Sequence, residues 1–164
     1  MSLSGELVHF GSTVHTLHPG DVVCAPRGDR LVTLLGSCVA VVLTDPRRTI
    51  GAMCHIVHSS HIDNATQSQR DSTWGDVALE VMYEQLRERG ISPHLCEAYV
   101  YGGGNMFPDQ FNERHVGASN ARWALHAMAT DGLRVLHHDL GGTSYRKLAW
   151  TVGPGAPEVT AVPV

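Results

Sequence analysis

The sequence predicts an α+β fold, an α/β layered sandwich in which a mixed β-sheet core carries flanking helices within a single domain. Three observations lead there. Apolar and β-branched runs recur near both ends of the chain, helical periodicity appears twice between them, and no repeat, low-complexity tract or linker divides the sequence.

With 164 residues and 43% hydrophobic content, residues 1–164 suffice for one domain with a real core. A net charge of −4, with no basic cluster longer than Arg47-Arg48, argues against nucleic acid or an anionic membrane surface as a partner. No apolar run approaches the ~20 residues of a membrane span, and the opening MSLSGELVHF lacks a basic start followed by an apolar stretch. A cytoplasmic protein without membrane insertion is therefore expected.

Residues 1–16 are weakly patterned and read as a loosely attached arm or a short edge strand. After the His18-Pro19-Gly20 turn, Asp21 to Ala25 forms a short strand that Pro26, Gly28 and Asp29 end. Leu31 to Leu35 leads into two apolar runs, Val39 to Leu43 and Ile50 to Val57, joined by Asp45-Pro46-Arg47-Arg48, which has the composition of a type I turn. Ser59 to Thr73 is polar and long for a structureless connection, which suits a flap over substrate. Residues 76–89 carry Leu79, Met82, Tyr83 and Leu86 at helical spacing, with Asp76 at the start, Arg87 and Arg89 near the end, and Gly90 as the stop. A β-type run follows from Cys96 to Tyr101 and ends in Gly102-Gly103-Gly104. Ala121, Leu125 and Met128 then mark a helix over about 117–130, and strands are expected at about 133–138 and 146–152.

The hairpin carries the chemistry. If Asp45 pairs with Arg48, Cys38 falls directly opposite His55, with Cβ atoms roughly 4.5–5.5 Å apart. A three-residue loop or a bulge would instead bring Cys54 or Ile56 across. Cys38 follows Gly36 and Ser37, where the backbone can turn sharply and aim amide groups at an oxyanion. In such a pair the histidine takes the thiol proton and later protonates the departing nitrogen. The competing reading of Cys38 is a small buried hydrophobe, and of His55 a satisfied core histidine. Beside a histidine and converging amides, the Cys38 thiolate is expected to be stabilised relative to Cys24, Cys54 and Cys96.

Cys24, Cys38, Cys54 and Cys96 include no C-x-x-C pair and read as free thiols. Cys54, His55, His58 and His61, with Asp63 nearby, invite a zinc reading, yet residues three apart converge only on a helix and the context here is strand and then loop. No metal and no cofactor are expected. His137-His138-Asp139 can aim at most one histidine into any pocket. Gly102-Gly103-Gly104 lacks the lysine and the spacing of a P-loop and reads as backbone passing close to substrate or to a neighbouring strand.

LGSCVAVVLTDP followed by IGAMCHIVH, then AYVYGGGNMF, VGASNARWAL and HDLGGTSYRKLAW, resembles the bacterial chemoreceptor glutamine deamidases, the CheD family, block by block over roughly residues 17–153. The resemblance implies a layered α/β sandwich, a protein-glutamine deamidase, Cys38 as nucleophile and His55 as base. It implies methyl-accepting chemotaxis receptors as substrates, a CheC-type phosphatase as a further partner, and HDLGG at the rim of the active site. The family also uses a threonine upstream of the cysteine. Thr33 is the threonine of that stretch, although a gap-free comparison with the form TLGLGSC puts Val32 there, and an ordinary strand threonine is the competing reading. After His55 this chain has IVHSSH where the family commonly has a leucine-proline pair, so the pocket rim is expected to differ. The alternative function is a binding module of the chemotaxis array, holding receptor or phosphatase with little turnover.

Overall fold

The computed structural model describes residues 13–59, 70–110 and 115–163. Five strands come first: β1 (Val14–Leu17), β2 (Val22–Pro26), β3 (Arg30–Leu35), β4 (Val39–Thr44) and β5 (Ile50–Ile56). Helix α1 (Gly75–Glu88), a short 3₁₀ turn (Pro93–Leu95), strand β6 (Glu97–Gly102) and helix α2 (Val116–Thr130) follow. Strands β7 (Arg134–Leu140), β8 (Tyr145–Thr151) and β9 (Glu158–Val162) complete the order.

The strands form two sheets, a four-stranded one in the order β1-β3-β8-β9 and a five-stranded one in the order β2-β5-β4-β6-β7. Both are mixed, because β1 runs parallel to β3 and β6 parallel to β7 while their other pairings are antiparallel. The expected α+β sandwich is therefore present.

Residue alternation along β4 and β5 gives the molecule two cores. Val39, Val41, Leu43, Cys54 and Ile56 face the helices, where they meet Ala78, Leu79, Met82 and Met128. Ala40, Val42 and Met53 face the four-stranded sheet and pack with Leu31, Leu35, Leu148 and Trp150. The layers are thus helices, five-stranded sheet and four-stranded sheet. The strand β9 was not anticipated; its residues are mostly exposed and show no apolar alternation.

The hairpin between β4 and β5 differs from expectation in length. The turn itself forms, with the Arg48 amide donating to the Asp45 carbonyl at 2.8 Å. The Asp45 carboxylate then accepts from the amides of Thr49 and Ile50 at 2.8 and 2.9 Å and from the Thr49 hydroxyl at 2.7 Å, so pairing resumes only at Thr44 with Gly51. The ladder is displaced by two residues, and Ala40, not Cys38, faces His55. An even displacement leaves every side chain on its intended face. Val41 faces Cys54 and Val39 faces Ile56, so neither alternative register occurs.

Of the expected N-terminal arm, Val14–Leu17 is an edge strand beside β3, and residues 1–12 lie outside the described residues. Most of the expected flap, residues 60–69, lies outside them too.

Candidate active site

Thr33 and His55 come from different sheets and meet between them. Thr33 pairs in register with Leu17 of β1, and its hydroxyl donates to the Leu17 carbonyl at 2.8 Å. The same oxygen lies 2.8 Å from His55 Nδ1. A hydroxyl carries one proton, and here that proton is committed to Leu17, so the Thr33 oxygen accepts from an Nδ1–H. The neutral ring therefore keeps Nε2 as its free acceptor.

The backbone of His55 is also fixed, its amide donating to the Asp21 carbonyl at 3.1 Å and its carbonyl accepting from Gly20 at 2.9 Å. The residue is only 3% exposed. Burial pushes the imidazole down to about 4; the Asp21 carboxylate opposes that shift and His18 adds to it. At neutral pH the ring is uncharged and able to take a proton.

Cys38 stands at the entry to β4, half-buried, with its side chain against the inter-sheet core. It thus shares a layer with His55, offset along the ladder. With the ladder extended one residue past Val39, the two form a diagonal pair, for which Cβ atoms lie on the order of 7 Å apart. Burial pushes the Cys38 thiol up. The resting layer accordingly holds a thiol and a neutral imidazole, in place of the stabilised thiolate expected from sequence. Its fellow cysteines are also raised: Cys54 and Cys96 to about 12 by burial, and Cys24 by burial that Arg89 partly offsets.

The glycine run is packed against the segment that presents Cys38. Gly103 and Gly104 donate from their amides to the carbonyls of Cys38 and Gly36, each at 2.9 Å. A Cβ on Gly102, whose φ is +113°, would overlap the Cys38 carbonyl oxygen, and one on Gly117 would overlap the carbonyls of Gly103 and Gly104. Of the two readings left open for these glycines, the structure shows close approach to neighbouring backbone.

Asn120 was missed in the sequence. It is 2% exposed, and its Nδ2 donates to the Ser37 carbonyl at 3.1 Å and to the Val57 carbonyl at 3.0 Å. The signal was available, since Asn120 lies on the buried helical stripe with Gly117, Ala121, Ala124 and Met128. A polar residue there must find partners. Two further polar contacts lie on β7: Tyr101 with His137 Nδ1 at 3.2 Å, and buried Arg146 donating to Asp139 at 3.1 Å. Beside Ser37 a largely apolar cavity of about 240 Å³ is lined by Gly104, Met106, Phe107, His115 and Val116.

Of the residues that invited a zinc reading, the three that are described, Cys54, His55 and His58, point different ways. Cys54 faces the helices while His55 faces the other sheet, and His58 is exposed and stacks on Trp74 with ring centroids 4.2 Å apart. His61 and Asp63 lie outside the described residues. Among the described residues no three His, Cys, Asp or Glu side chains are grouped to hold a metal, and no helix is long and apolar enough to cross a membrane.

Comparison with known proteins places the chain in a family. The family model for CheD chemotactic sensory transduction matches residues 58–160, a stretch that begins after Cys38 and His55. Alignments with whole relatives reach further. The Albidiferax ferrireducens protein named probable chemoreceptor glutamine deamidase CheD 2 is 33% identical over 141 residues, covering 85% of this chain and 82% of the relative. A protein of Pseudomonas syringae pv. syringae, named probable chemoreceptor glutamine deamidase CheD, is 34% identical over 142 residues, covering 85% and 79%. Its namesake from Pseudomonas syringae pv. tomato is 33% identical over 159 residues, covering 94% and 92%, a span that must include residues 33–58. By family model and by relatives alike, the chain belongs to the CheD family.

Proposed function

We propose that this chain is a cysteine-dependent protein-glutamine deamidase, a single domain that converts glutamine side chains of methyl-accepting chemotaxis receptors to glutamate and releases ammonia. The observation that carries the reading is the chain of hydrogen bonds from Leu17 through Thr33 to His55, which leaves Nε2 as the acceptor in the layer where the Cys38 side chain packs.

In this reading the Cys38 thiol transfers its proton to His55 Nε2 as its sulfur attacks the carboxamide carbon, and the carbonyl electron pair moves onto oxygen. Collapse of that tetrahedral species expels nitrogen, which takes the proton from His55 and leaves as ammonia. Water, deprotonated by the same imidazole, then attacks the thioester, and the thiol leaves with that proton. The products are glutamate and free Cys38, and no cofactor enters. Thr33 holds the ring and its tautomer without touching substrate.

Receptor substrates would place the protein in the cytoplasm, and a CheC-type phosphatase is the further partner we carry as a proposal, to be tested by co-purification. The deamidase reading is tested by incubating the protein with a receptor cytoplasmic fragment and following ammonia together with a mass gain of about one dalton at glutamine, the arithmetic of amide to acid. Ammonia release that Cys38→Ala abolishes supports it. Wild-type protein that binds the fragment without changing its mass would favour the array-binding module instead.

A further inference from the structure

We propose that Asn120 is a positioning residue for the deamidation site, and that it acts by aiming the Cys38 backbone amide at the oxyanion. This rests on the deamidase reading. The carboxamide nitrogen of Asn120 is bonded to two carbonyls, those of Ser37 and Val57. One belongs to the residue immediately before the nucleophile, the other to the second residue after the base. A single side chain from α2 thus ties together the two backbone segments that carry Cys38 and His55.

The Ser37 bond has a consequence set by covalent geometry. The peptide linking Ser37 to Cys38 is trans, so its carbonyl and its N–H lie in one plane and point in opposite directions. Asn120 draws the carbonyl toward α2. The Cys38 N–H is thereby directed away from the helix layer, while the Cys38 side chain packs on the side of the sheet opposite the helices. An N–H held in this way is ready to donate to the oxygen that gains charge as the sulfur attacks.

The remaining contacts limit how far that peptide can turn. The carbonyls on either side, of Gly36 and Cys38, are held by Gly104 and Gly103 at 2.9 Å, so the Ser37 carbonyl is the one in this bend that a side chain from α2 anchors. The close approach of Gly117 to Gly103 and Gly104 seats the first turn of α2 against the same bend and brings Asn120, one turn on, within reach. Asn120 itself is enclosed, which excludes water as a substitute donor without rearrangement.

The inference separates two reactions of one thiol. Deamidation develops charge on a carbonyl oxygen and needs the amide. Alkylation by iodoacetamide displaces iodide from a saturated carbon, develops no oxyanion, and needs only the thiol and its base. In Asn120→Ala and Asn120→Ser, kcat for receptor-fragment deamidation should fall about 30-fold or more, with KM within roughly threefold of wild type, in line with the loss of an oxyanion donor. The rate of Cys38 alkylation, followed by peptide mapping, should stay within roughly threefold. The serine variant, which retains one donor, should lose less activity than the alanine variant.

Equal losses in both reactions would overturn the proposal, because Asn120 would then hold the cysteine and histidine generally. Unchanged deamidation would overturn it as well, and so would failure of both variants to fold, since Asn120 would then belong to the fold alone. Wild-type protein that deamidates nothing sinks the underlying reading along with this inference, and that outcome is distinguishable because it appears before any variant is made.

Discussion

On its helix side the five-stranded sheet presents Val39, Val41, Leu43, Cys54 and Ile56 to Met82, Leu86 and Met128. On its other side the same two strands present Ala40, Val42 and Met53, but also His55, with Cys38 at the entry. Burial acts on both faces and has opposite consequences. It pushes the Cys54 thiol up to about 12, which leaves an inert hydrophobe. It pushes the His55 imidazole down to about 4, which leaves a neutral ring whose polar edge must be satisfied. Thr33 satisfies that edge from the opposite sheet. One face supplies stability, and the other sets a polar pair at the end of an apolar layer.

The largest test of that division exchanges the two cysteines' roles. Cys38→Ala should lower receptor-fragment deamidation by about 10³-fold or more while the thermal unfolding profile stays near wild type. Cys54→Ala should do the reverse, leaving activity within about twofold and lowering stability by about 1–2 kcal/mol through lost burial. Adding His55→Ala to Cys38→Ala should cost nothing further, because in the proposed mechanism the two act as a unit. A double variant much worse than Cys38→Ala would break the unit.

Deeper in the helix-side core, Met82 is fully enclosed by α1 and the sheet. Met82→Ala should reduce unfolding free energy by about 2–5 kcal/mol in urea titration, with kcat of the folded fraction unchanged. A fall in kcat that tracks the fall in stability would show that the two faces are not separable.

Acid should sharpen the comparison from the other side. The folded His55 titrates near 4 and an unfolded histidine near 6.5, so the unfolded chain binds the proton first as pH falls. Stability from this group is complete above about pH 6.5 and is lost progressively toward pH 4, by at most about 3 kcal/mol. His55→Gln cannot titrate and should show a flatter stability profile across that window. Parallel profiles for wild type and variant would mean the imidazole is not held neutral by burial.

How much of this was legible in the sequence varied with the range of the interaction. Helices α1 and α2 were found within a residue or two, because periodicity in both, and in α1 the terminal charges and the stop at Gly90, are local signals. The shared layer of Cys38 and His55 was legible through strand parity, and it survived the two-residue displacement. That displacement was not legible, because it follows from Asp45 capping the Thr49 and Ile50 amides, a choice a turn-former makes only in three dimensions. Asn120 looked like an ordinary polar helix residue because its partners lie 83 and 63 positions away. The strand β9 had too little buried surface to leave a pattern.

The smallest effect concerns Thr33, which the sequence left between a site residue and an ordinary strand threonine. Its side chain spans the two sheets, giving a proton to Leu17 and taking one from His55. Thr33→Val keeps the shape and the strand propensity but removes both bonds. The imidazole is then free to place its proton on either nitrogen, and only the Nδ1–H form has Nε2 available for the Cys38 proton. Deamidation should fall by about 10- to 100-fold, less than for Cys38→Ala because base and nucleophile are still present. Thr33→Ser restores a hydroxyl at the same position and should recover most of the rate. Because a valine can also weaken the inter-sheet core, the ratio of the serine to the valine variant is the informative number, measured at temperatures where both are folded. Equal rates in the two variants would show that Thr33 does no more than fill its strand, and the tautomer of His55 would have to be set by something else.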